Sequence, residues 1–547
     1  MHKASEAAVL LEGLDLGQSI AELDTLLETA RVETSAFADL YQDKVDLIPG
    51  TKGSGKSALF RIFVDFLPGH LLKSRKVVVA HGVQKHGDHV FHAFKNQLEN
   101  LTEEEFVGFW CIYLTSLAHE QFVKGERYRD LLKDATPEIE EFRRACAKAH
   151  IPEIKAKKSL KDILEWTLNV LLNWKPSLRY KLPHEGGAVE LDLFGKATER
   201  NQQKDVIPEE EVPHYIADIK DRLEAILTKT NLSIWLMIDR LDEIFPRRTE
   251  LETRALRGLL RATRLFTTST IRIKIFLRDD MLEQAVSVPE GFTALTHLTA
   301  RQADTLRWSE ENILIMIVKR LFANEALRNY LGIDADRLEA SHDYRLESFY
   351  KVFPATVHRG SKQSRTLHWI CTHTMDGRNV VTPRDVLDLI TKAKQRQQDE
   401  FNQAPESEFP WLIGPEAIQY GLEELSKRKR DTYLKAEFPH LWPHIEKFES
   451  GNTEYNCRTL MKVLGNEWES VSTDLVSIGL LGKRGGDSDS TYWFPYVYRK
   501  TEPYAGKSWI EAERCKITKR RWLVTKRAAW VYRFSLALGK YNVGFRE

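Results

Sequence analysis

Cysteine is scarce in this sequence, and the cysteines that are present lie far apart. No two of the five have the C-x-x-C spacing of a redox or zinc motif: Cys111, Cys146, Cys371, Cys457 and Cys515. An odd number of widely spaced cysteines argues against a disulfide framework, because such frameworks use paired residues. We therefore expect a reducing, cytoplasmic compartment.

The sequence also lacks long apolar runs and a large net charge. No run reaches the roughly 18–20 apolar residues that a membrane span requires, so we expect no membrane partner. The first 24 residues are acidic and amphipathic and lack the apolar centre of a secretory signal. The net charge is +1, so the whole chain has no general attraction for polyanions, and any basic patch must be local.

Several catalytic motifs are absent as well. The sequence contains no HExxH, no GxSxG and no Cys/His cluster with metal-ligand spacing. Cys371 and His373 are separated by a single residue, which is too close for a useful zinc pair. These absences leave no second catalytic constellation beside the nucleotide motif described next.

The remaining composition is that of a soluble globular protein. The chain has 547 residues, of which 42% are hydrophobic and 29% charged. Since one hydrophobic core rarely grows beyond about 250–300 residues, this length predicts two to four domains.

Residues 47–59 read LIPGTKGSGKSAL, and residues 50–57 fit the phosphate-binding pattern G-x-x-x-x-G-K-[ST]. The preceding KVDLIPG is a short stretch with alternating apolar residues, which is typical of a strand. The following SALFRIFVDFL has apolar residues at helical spacing. Strand, glycine loop and helix, in this order, are the context that the motif requires. A structural glycine turn is the alternative.

The chemistry of such a loop follows from its backbone. Glycines let several N–H groups point inward at phosphate oxygens, and the helix N-terminus adds partial positive charge. Lys56 is predicted to reach the β- and γ-phosphates, and the Ser57 hydroxyl to ligate Mg²⁺. The predicted nucleotide-binding residues are Gly50, Thr51, Lys52, Gly53, Ser54, Gly55, Lys56, Ser57 and Ala58.

A second segment, residues 232–245, reads LSIWLMIDRLDEIF. Its near-continuous apolar run is typical of a central parallel strand buried on both faces. An acid at the carboxyl end of such a strand faces a ligand site, so Asp239 is predicted to bind Mg²⁺, acting through a water. Asp242 or Glu243 is predicted to orient the attacking water, with Asp242 preferred. Alternatively, both are acids at a helix N-terminus.

A third strand is predicted in IRIKIFLRDDM, residues 271–281. It ends near Arg278, which is predicted to sense the γ-phosphate or to act as an arginine finger toward a neighbouring subunit. A surface ion pair with Asp279 or Asp280 is the alternative. No NKxD-type acid for guanine follows a late strand, so the expected cofactors are ATP and Mg²⁺.

The remainder of the first 400 residues has a mainly helical pattern. About 150 residues separate a second strand, RKVVVAHG (75–82), from the Asp239 strand. Within them Thr102 and Glu105 have capping-box spacing, and Trp110 is predicted to be a core residue. Residues 180–212 are predicted to form a loop or a small hairpin.

Two later helices are predicted at 306–322 and 381–397. Ser309 and Thr382 are expected to be their N-caps, with Pro383 at the first helical position. Arg384 is either a lid arginine that points back at the phosphates or an ordinary surface residue.

The C-terminal part has two distinct patterns. Residues 431–500 include an apolar helix, a glycine-rich tip and a returning aromatic strand, which predict a winged helix with Lys483 and Arg484 at its wing. Either it contacts nucleic acid or, preferably, it is structural or autoinhibitory. Residues 501–547 carry 11 Lys and Arg against 4 Asp and Glu, with aromatic residues interleaved. This composition suits DNA or RNA, or else a hairpin packed on the core.

Several of these segments occur together in a known family. In order, KGSGKSAL, LTEEEFVGFW, IDRLDE, KIFLRDD, LRWSEENIL and TPRDVL resemble bacterial P-loop ATPases close to the KAP and STAND NTPases, over residues 35–400. The resemblance implies an additional-strand, AAA-like α/β core with a helical lid. It also implies phosphate and magnesium roles for Lys56 and Ser57, and acidic roles for Asp239 and Asp242. Arg240 departs from the pattern, because many AAA+ ATPases place the catalytic acid there.

The expected domains follow from these patterns. They are an N-terminal helical segment (1–34), an α/β P-loop core (35–300) with a mostly helical insert at about 85–225, a helical lid (301–400), a winged helix (401–503) and a basic aromatic extension (504–547).

The expected function is a regulatory switch ATPase. It is predicted to act as a homo-oligomer and to control a nuclease-like or toxin-like effector; the antiphage setting is implied by the resemblance alone. The alternatives are a DNA-binding motor or loader and a nucleotide-locked scaffold with very slow hydrolysis. An arginine finger is expected from one of Arg240, Arg247, Arg248 and Arg278.

Overall fold

The structure is a computed structural model that divides the chain into two compact units. It describes residues 1–82, 101–124, 128, 130–149, 151, 212–245, 249–287, 299–360, 362–449, 451–486 and 490–499. The core unit is Gly17–Trp308, and the second unit combines Met1–Leu16 with the chain from Ser309 onward. Several predicted features lie outside the described residues: most of the predicted insert, the predicted 180–212 loop up to residue 211, Arg247, Arg248 and the basic extension 504–547.

The core unit contains a four-stranded parallel sheet. Its strands are β1 (Leu47–Gly50), β2 (Val77–His81), β3 (Ser233–Ile238) and β4 (Ile271–Arg278). They are ordered β1-β4-β3-β2. The predicted parallel α/β core is confirmed, and β4 is inserted between the strand that leads to the glycine loop and the strand that leads to Asp239.

Apolar side chains on both faces explain why these segments are central strands. Leu236 and Ile238 of β3 join one hydrophobic cluster, and Trp235 and Met237 join the cluster on the opposite face. Alternation along a strand sends successive side chains to opposite faces, so a doubly buried strand needs an unbroken apolar run. The predicted strand 271–281 ends at Arg278, because Asp279 begins a helix.

The helices of the core unit surround this sheet. In chain order they are α1 (Ser35–Tyr41), α2 (Lys56–Arg61), α3 (Pro68–Arg75), α4 (Glu103–His119), α5 (Thr136–Lys148), α6 (Val212–Thr230), α7 (Leu241–Ile244), α8 (Glu250–Phe266) and α9 (Asp279–Val286).

Two of the local predictions for this unit hold. The capping box of Thr102 with Glu105 is present at the start of α4. Trp110 is a core residue, and its indole donates a 2.8 Å hydrogen bond to the Ala255 carbonyl of α8.

Helices α4 and α8 approach each other closely at Gly258. A Cβ placed on Gly258 lies 2.5 Å from the Cβ of Phe106 and 3.1 Å from its carbonyl carbon. We expect Gly258→Ala to destabilise the protein by about 1–3 kcal/mol, because the overlap forces the helices apart. Urea denaturation of the full chain measures this change.

Gly69 in α3 is the matched control, since a Cβ there meets no atom within 4 Å. Gly69→Ala is expected to be neutral or to stabilise by up to about 1 kcal/mol, because alanine has the higher helix propensity. Equal effects of the two substitutions would contradict the close packing of α4 on α8.

The second unit is largely helical. Its helices are Ala4–Glu12, Glu310–Phe322, Glu325–Leu331, Ala335–Ala340, His342–Val352, Thr366–Thr374, Pro383–Gln403, Pro415–Arg428, Lys435–Glu437, Trp442–Ile445, Cys457–Leu464, Trp468–Ser477 and Tyr496–Arg499. The predicted N-caps Ser309 and Thr382 are confirmed, with Pro383 in the first turn. The helix in the predicted 306–322 segment begins at Glu310, directly after the predicted cap Ser309, and the residues before it pair with β1.

Two small sheets complete this unit. His2–Lys3 pairs with Glu408–Phe409. Strands β5 (Glu454–Asn456), β6 (Gly482–Arg484) and β7 (Thr491–Trp493) form an antiparallel sheet in the order β5-β7-β6. Two helices, Cys457–Leu464 and Trp468–Ser477, lie between β5 and β6 in the chain. The predicted winged helix stays a prediction.

A helix that crosses a bilayer needs about 20 predominantly apolar residues. Within the described ranges, none is both long enough and apolar enough to cross one.

Candidate nucleotide-binding site

The glycine-rich loop connects β1 to α2 and has a backbone that depends on glycine. Gly53 and Gly55 have φ values of 81° and 96°, in the left-handed region that residues with a Cβ rarely adopt. A Cβ on Gly50 lies only 2.5 Å from the Ser54 hydroxyl oxygen. The three glycines of the motif are therefore required by the curl of the loop itself.

Two polar side chains of this loop, those of Thr51 and Ser54, are buried. The hydroxyl oxygens of Thr51 and Ser54 have no hydrogen-bond partner among the residues that the structure describes. Buried hydroxyls are almost always hydrogen-bonded in folded proteins. A curled loop with unsatisfied hydroxyls at a helix N-terminus fits a phosphate-bearing ligand.

Lys56, the first residue of α2, folds back over the loop. Its ammonium donates hydrogen bonds of 2.8 Å to the carbonyls of Gly50 and Thr51. Burial lowers the pKa of Lys56, and the nearby carboxylates of Asp242 and Asp239 oppose that shift. The loop thus holds a poorly hydrated positive charge, which favours an anion as its partner.

Asp239 follows the last residue of β3 and accepts a hydrogen bond from the Ser57 side chain. Burial raises the pKa of the Asp239 carboxyl to about 6, although the hydrogen bonds from Ser57 and from the Arg240 N–H favour the ionised form. The tertiary structure therefore brings together the hydroxyl and the carboxylate that were predicted to serve one Mg²⁺ ion.

These two groups fit magnesium rather than a metal held only by protein ligands. Within the described part of the chain, no group of three or more His, Cys, Asp and Glu side chains could hold a metal ion. Mg²⁺ usually takes one or two protein ligands and completes its shell with water and substrate phosphates. Ser57 and Asp239 match that requirement.

Arg278 lies beside the loop because β4 is the neighbour of β1. Its backbone is paired with that of Gly50 in the sheet. The guanidinium forms an ion pair with Asp280 at 2.8 Å and lies 3.9 Å from an oxygen of Asp242. The Asp280 pair was the alternative prediction; in it Arg278 is buried and Asp280 is partly exposed. The Arg278 charge is close enough to lower the pKa of Lys56.

The structure separates the two acids that follow Asp239. Arg240 has a left-handed φ of 61° and is the N-cap residue that precedes the short helix α7. Its guanidinium pairs with Glu22 and lies 3.6 Å from Glu243. Asp242 instead faces Arg278 and Lys56. Glu243 is therefore engaged with Arg240, while Asp242 is directed toward the loop.

Two residues near this site were missed by sequence reasoning. Trp308 donates a hydrogen bond from its indole Nε1 to the Ser54 carbonyl at 2.7 Å. Glu22, from a segment predicted to be a separate N-terminal element, pairs with Arg240. Neither contact has a local sequence signal, because the partners are hundreds of residues apart. Arg384 belongs to the second unit, and its role stays a prediction.

The raised pKa of Asp239 has a measurable consequence for stability. Between about pH 4 and pH 6 the folded protein keeps a proton that the unfolded chain has lost, so stability falls as pH rises through this window and levels off above it. The effect amounts to at most about 3 kcal/mol. Asp239→Asn is expected to remove this pH dependence and to stabilise the ligand-free protein at pH 7.

Urea unfolding at pH 4.5, 6 and 7.5 measures the effect in both proteins. Asp134→Asn, at an exposed position of the same unit, is the control and is expected to leave the profile unchanged. If the free energy of unfolding changed with pH in the same way in the wild type and in Asp239→Asn, burial would not disfavour the ionised Asp239 carboxylate.

Comparison with known proteins gives weak similarity to solved structures. No protein-family model and no curated protein sequence matches this chain. Among solved structures, the Orc1 protein of Aeropyrum pernix in complex with DNA is similar at 10% sequence identity and a TM-score of 0.36, over 88% of this chain and 95% of that one. The case for a nucleotide site is therefore carried by the loop, Lys56, Ser57 and Asp239.

Proposed function

We propose that this protein is a P-loop ATPase that binds ATP with Mg²⁺ and hydrolyses it. The observation that carries the proposal is the hydrogen bond between Ser57 and Asp239 at the mouth of a glycine loop that contains Lys56. The serine and the aspartate are 182 positions apart in the numbering. Because each has a specific role in the predicted site, their contact is a demanding test that a chance glycine turn would not meet.

In this proposal each side chain has one task. The loop N–H groups and the Lys56 ammonium bind the phosphates, and Ser57 and Asp239 hold the Mg²⁺ ion, which neutralises phosphate charge when bound. Asp242 accepts the proton of the attacking water. Its side chain is 37% exposed, so water reaches it, and it lies beside the positive charge of Arg278. Arg278 supplies a buried positive charge where negative charge develops.

We further propose that the ATPase acts as a switch. The site has one nucleotide-binding constellation, and no motif in the sequence offers a second chemistry that hydrolysis could drive directly. The composition favours a use of ATP in which binding or hydrolysis changes the conformation or assembly of the protein. In this proposal the protein is a homo-oligomer in the cytoplasm, and the change controls a nuclease-like or toxin-like partner. The antiphage setting rests on the family resemblance alone.

The charges around β5, β6 and β7 favour the switch over the DNA-binding alternative. If these strands form a winged helix, Trp468–Ser477 is the helix that such domains place in the major groove. It contains no Lys or Arg, and its Glu469 and Asp474 are exposed. These carboxylates would face DNA phosphates of the same sign. Lys483 and Arg484 on β6 are exposed, which leaves the wing as a possible contact.

Mass photometry tests the switch against the DNA alternative. The full chain is measured alone, with a non-hydrolysable ATP analogue and Mg²⁺, and with the analogue plus duplex DNA. A change of assembly caused by nucleotide supports the switch. A change that needs DNA supports the motor or loader. If calorimetry shows that the wild type does not bind Mg²⁺-ATP, the ATPase proposal is wrong.

A further inference from the structure

The indole of Trp308 reaches the glycine loop from a segment that carries no nucleotide-binding motif. Its Nε1 donates a 2.7 Å hydrogen bond to the backbone carbonyl of Ser54. Ser54 is fully buried, and its hydroxyl has no partner within the described residues. Trp308 therefore holds the glycine loop through the backbone of Ser54, a fully buried residue of that loop.

This bond controls the direction of a neighbouring N–H group. The Ser54 carbonyl and the Gly55 N–H belong to one planar peptide group, and in a trans peptide they point in opposite directions. Holding the carbonyl against the indole directs the Gly55 N–H away from Trp308. Gly55 directly precedes Lys56 and helix α2, so this N–H belongs to the set that a phosphate-binding loop uses.

The local backbone does not fix this direction by itself. Ser54 lies between Gly53 and Gly55, both of which have left-handed φ values. The Ser54–Gly55 peptide group turns about ψ of Ser54 and φ of Gly55. Because glycine has the widest range of backbone conformations, the change of φ at Gly55 costs little. The hydrogen bond from the Trp308 indole to the Ser54 carbonyl therefore selects one orientation of this peptide group.

Trp308 is itself held in place by edge pairing along β1. Leu47 donates to the Arg301 carbonyl at 3.2 Å, and Ala303 donates back to the Leu47 carbonyl at 2.8 Å. Leu306 donates to the Pro49 carbonyl at 2.8 Å. The extended segment thus follows β1 to the loop and ends at Trp308, the last residue of the core unit.

We propose that Trp308 is a positioning residue for the phosphate chain of the nucleotide. Its indole N–H orients the Ser54–Gly55 peptide so that the Gly55 N–H faces the phosphates. This inference rests on the proposed ATPase function and adds a specificity: the Trp308 contact supports the phosphates and not the base. Inorganic tripolyphosphate, which has no base or ribose, is therefore expected to depend on Trp308 as strongly as ATP does.

The test replaces Trp308 with Phe in the full chain, which removes the donor and keeps an aromatic ring. We expect KM for Mg²⁺-ATP and Kd for Mg²⁺-tripolyphosphate each to rise about tenfold, the usual effect of losing one hydrogen bond near a charged group. The value of kcat is expected to stay within about twofold, because the bond acts in both the ground state and the transition state. Trp442→Phe is the matched control, since Trp442 donates a 2.7 Å bond to Glu446 in the second unit.

A second replacement separates the hydrogen bond from packing. Benzothienylalanine at position 308 keeps the bicyclic shape but has sulfur in place of the N–H, and it is expected to reproduce the loss seen with Phe. It also provides the test if the Phe variant does not fold. A lower melting temperature with unchanged Kd for tripolyphosphate would overturn the proposal and leave Trp308 a purely structural role.

Three further outcomes are informative. Weaker ATP binding with unchanged tripolyphosphate binding would also overturn the proposal, because it would place the effect at the base or ribose. A wild type that binds neither ligand would remove the ATPase function and this inference with it. A wild type that binds both, with variants that bind equally well, removes the inference alone.

Discussion

Lys56→Ala is expected to weaken Mg²⁺-ATP binding by about 100-fold or more, because hydrogen bonds between charged groups are among the strongest in proteins. The ammonium lies inside the loop, where it already donates to the carbonyls of Gly50 and Thr51. Burial lowers the pKa of Lys56, so the loop holds a cation that is poorly solvated in the absence of ligand. Phosphate oxygens are better acceptors for this cation than neutral carbonyls are.

Isothermal titration calorimetry with Mg²⁺-ATP measures the loss. The melting temperature of Lys56→Ala is expected to stay close to that of the wild type, since removing a desolvated charge does not weaken the core. Lys73→Ala is the matched control: it removes the same charge from the exposed surface of α3 in the same unit. Unchanged ATP affinity in folded Lys56→Ala would refute the assignment of the loop as the nucleotide site.

Asp242→Asn is expected to lower kcat for ATP hydrolysis by about 100- to 1,000-fold, within the usual range for loss of a general base. The amide keeps the size of the side chain but cannot accept the proton of the attacking water. Asp242 is the acid directed toward Lys56 and Arg278, whereas Glu243 lies against Arg240. We therefore expect little change in ATP affinity and a large loss of rate.

The comparison with Glu243→Gln makes this prediction decisive. Both substitutions remove one negative charge from the same short helix and differ by one position in the chain. Single-turnover hydrolysis at saturating ATP measures the rates without interference from product release. A larger loss in Glu243→Gln than in Asp242→Asn would reverse the assignment. If the wild type itself hydrolyses ATP at only a trace rate, the nucleotide-locked scaffold becomes the better description.

Much of the site could be predicted because its signals are local. The glycine loop is recognised from the spacing of glycine, lysine and serine over eight positions, and its curl depends on glycines that the sequence shows directly. Asp239 is marked by the apolar run before it, since only a strand buried on both faces tolerates such a run. The caps at Thr102, Ser309 and Thr382 depend on the next three residues only.

Other features could not be predicted because they depend on packing between distant segments. The alternating side chains of residues 271–278 predict a strand, but they do not predict that Arg278 lies beside Gly50. That neighbourhood follows from the order of the strands in the sheet. The sequence favours Asp242 over Glu243 but does not show the surroundings of either acid, and in the structure the pairing of Arg240 with Glu22 and Glu243 distinguishes them. The predicted N-cap at Ser309 gives the start of the helix at Glu310, but the edge pairing of the preceding residues with β1 has no local signal.

The sequence by itself thus determined a glycine-rich loop with phosphate-binding spacing, a buried strand that leads to Asp239 and a parallel α/β core, since each is encoded by neighbouring residues. Only the tertiary structure decided which acid faces the loop, which arginine lies beside it and that Trp308 holds the Ser54 carbonyl from 254 residues away. The physical reason is that hydrogen bonding and burial within one element follow from local spacing, whereas a contact between elements exists only once the whole sheet and its edges have been assembled.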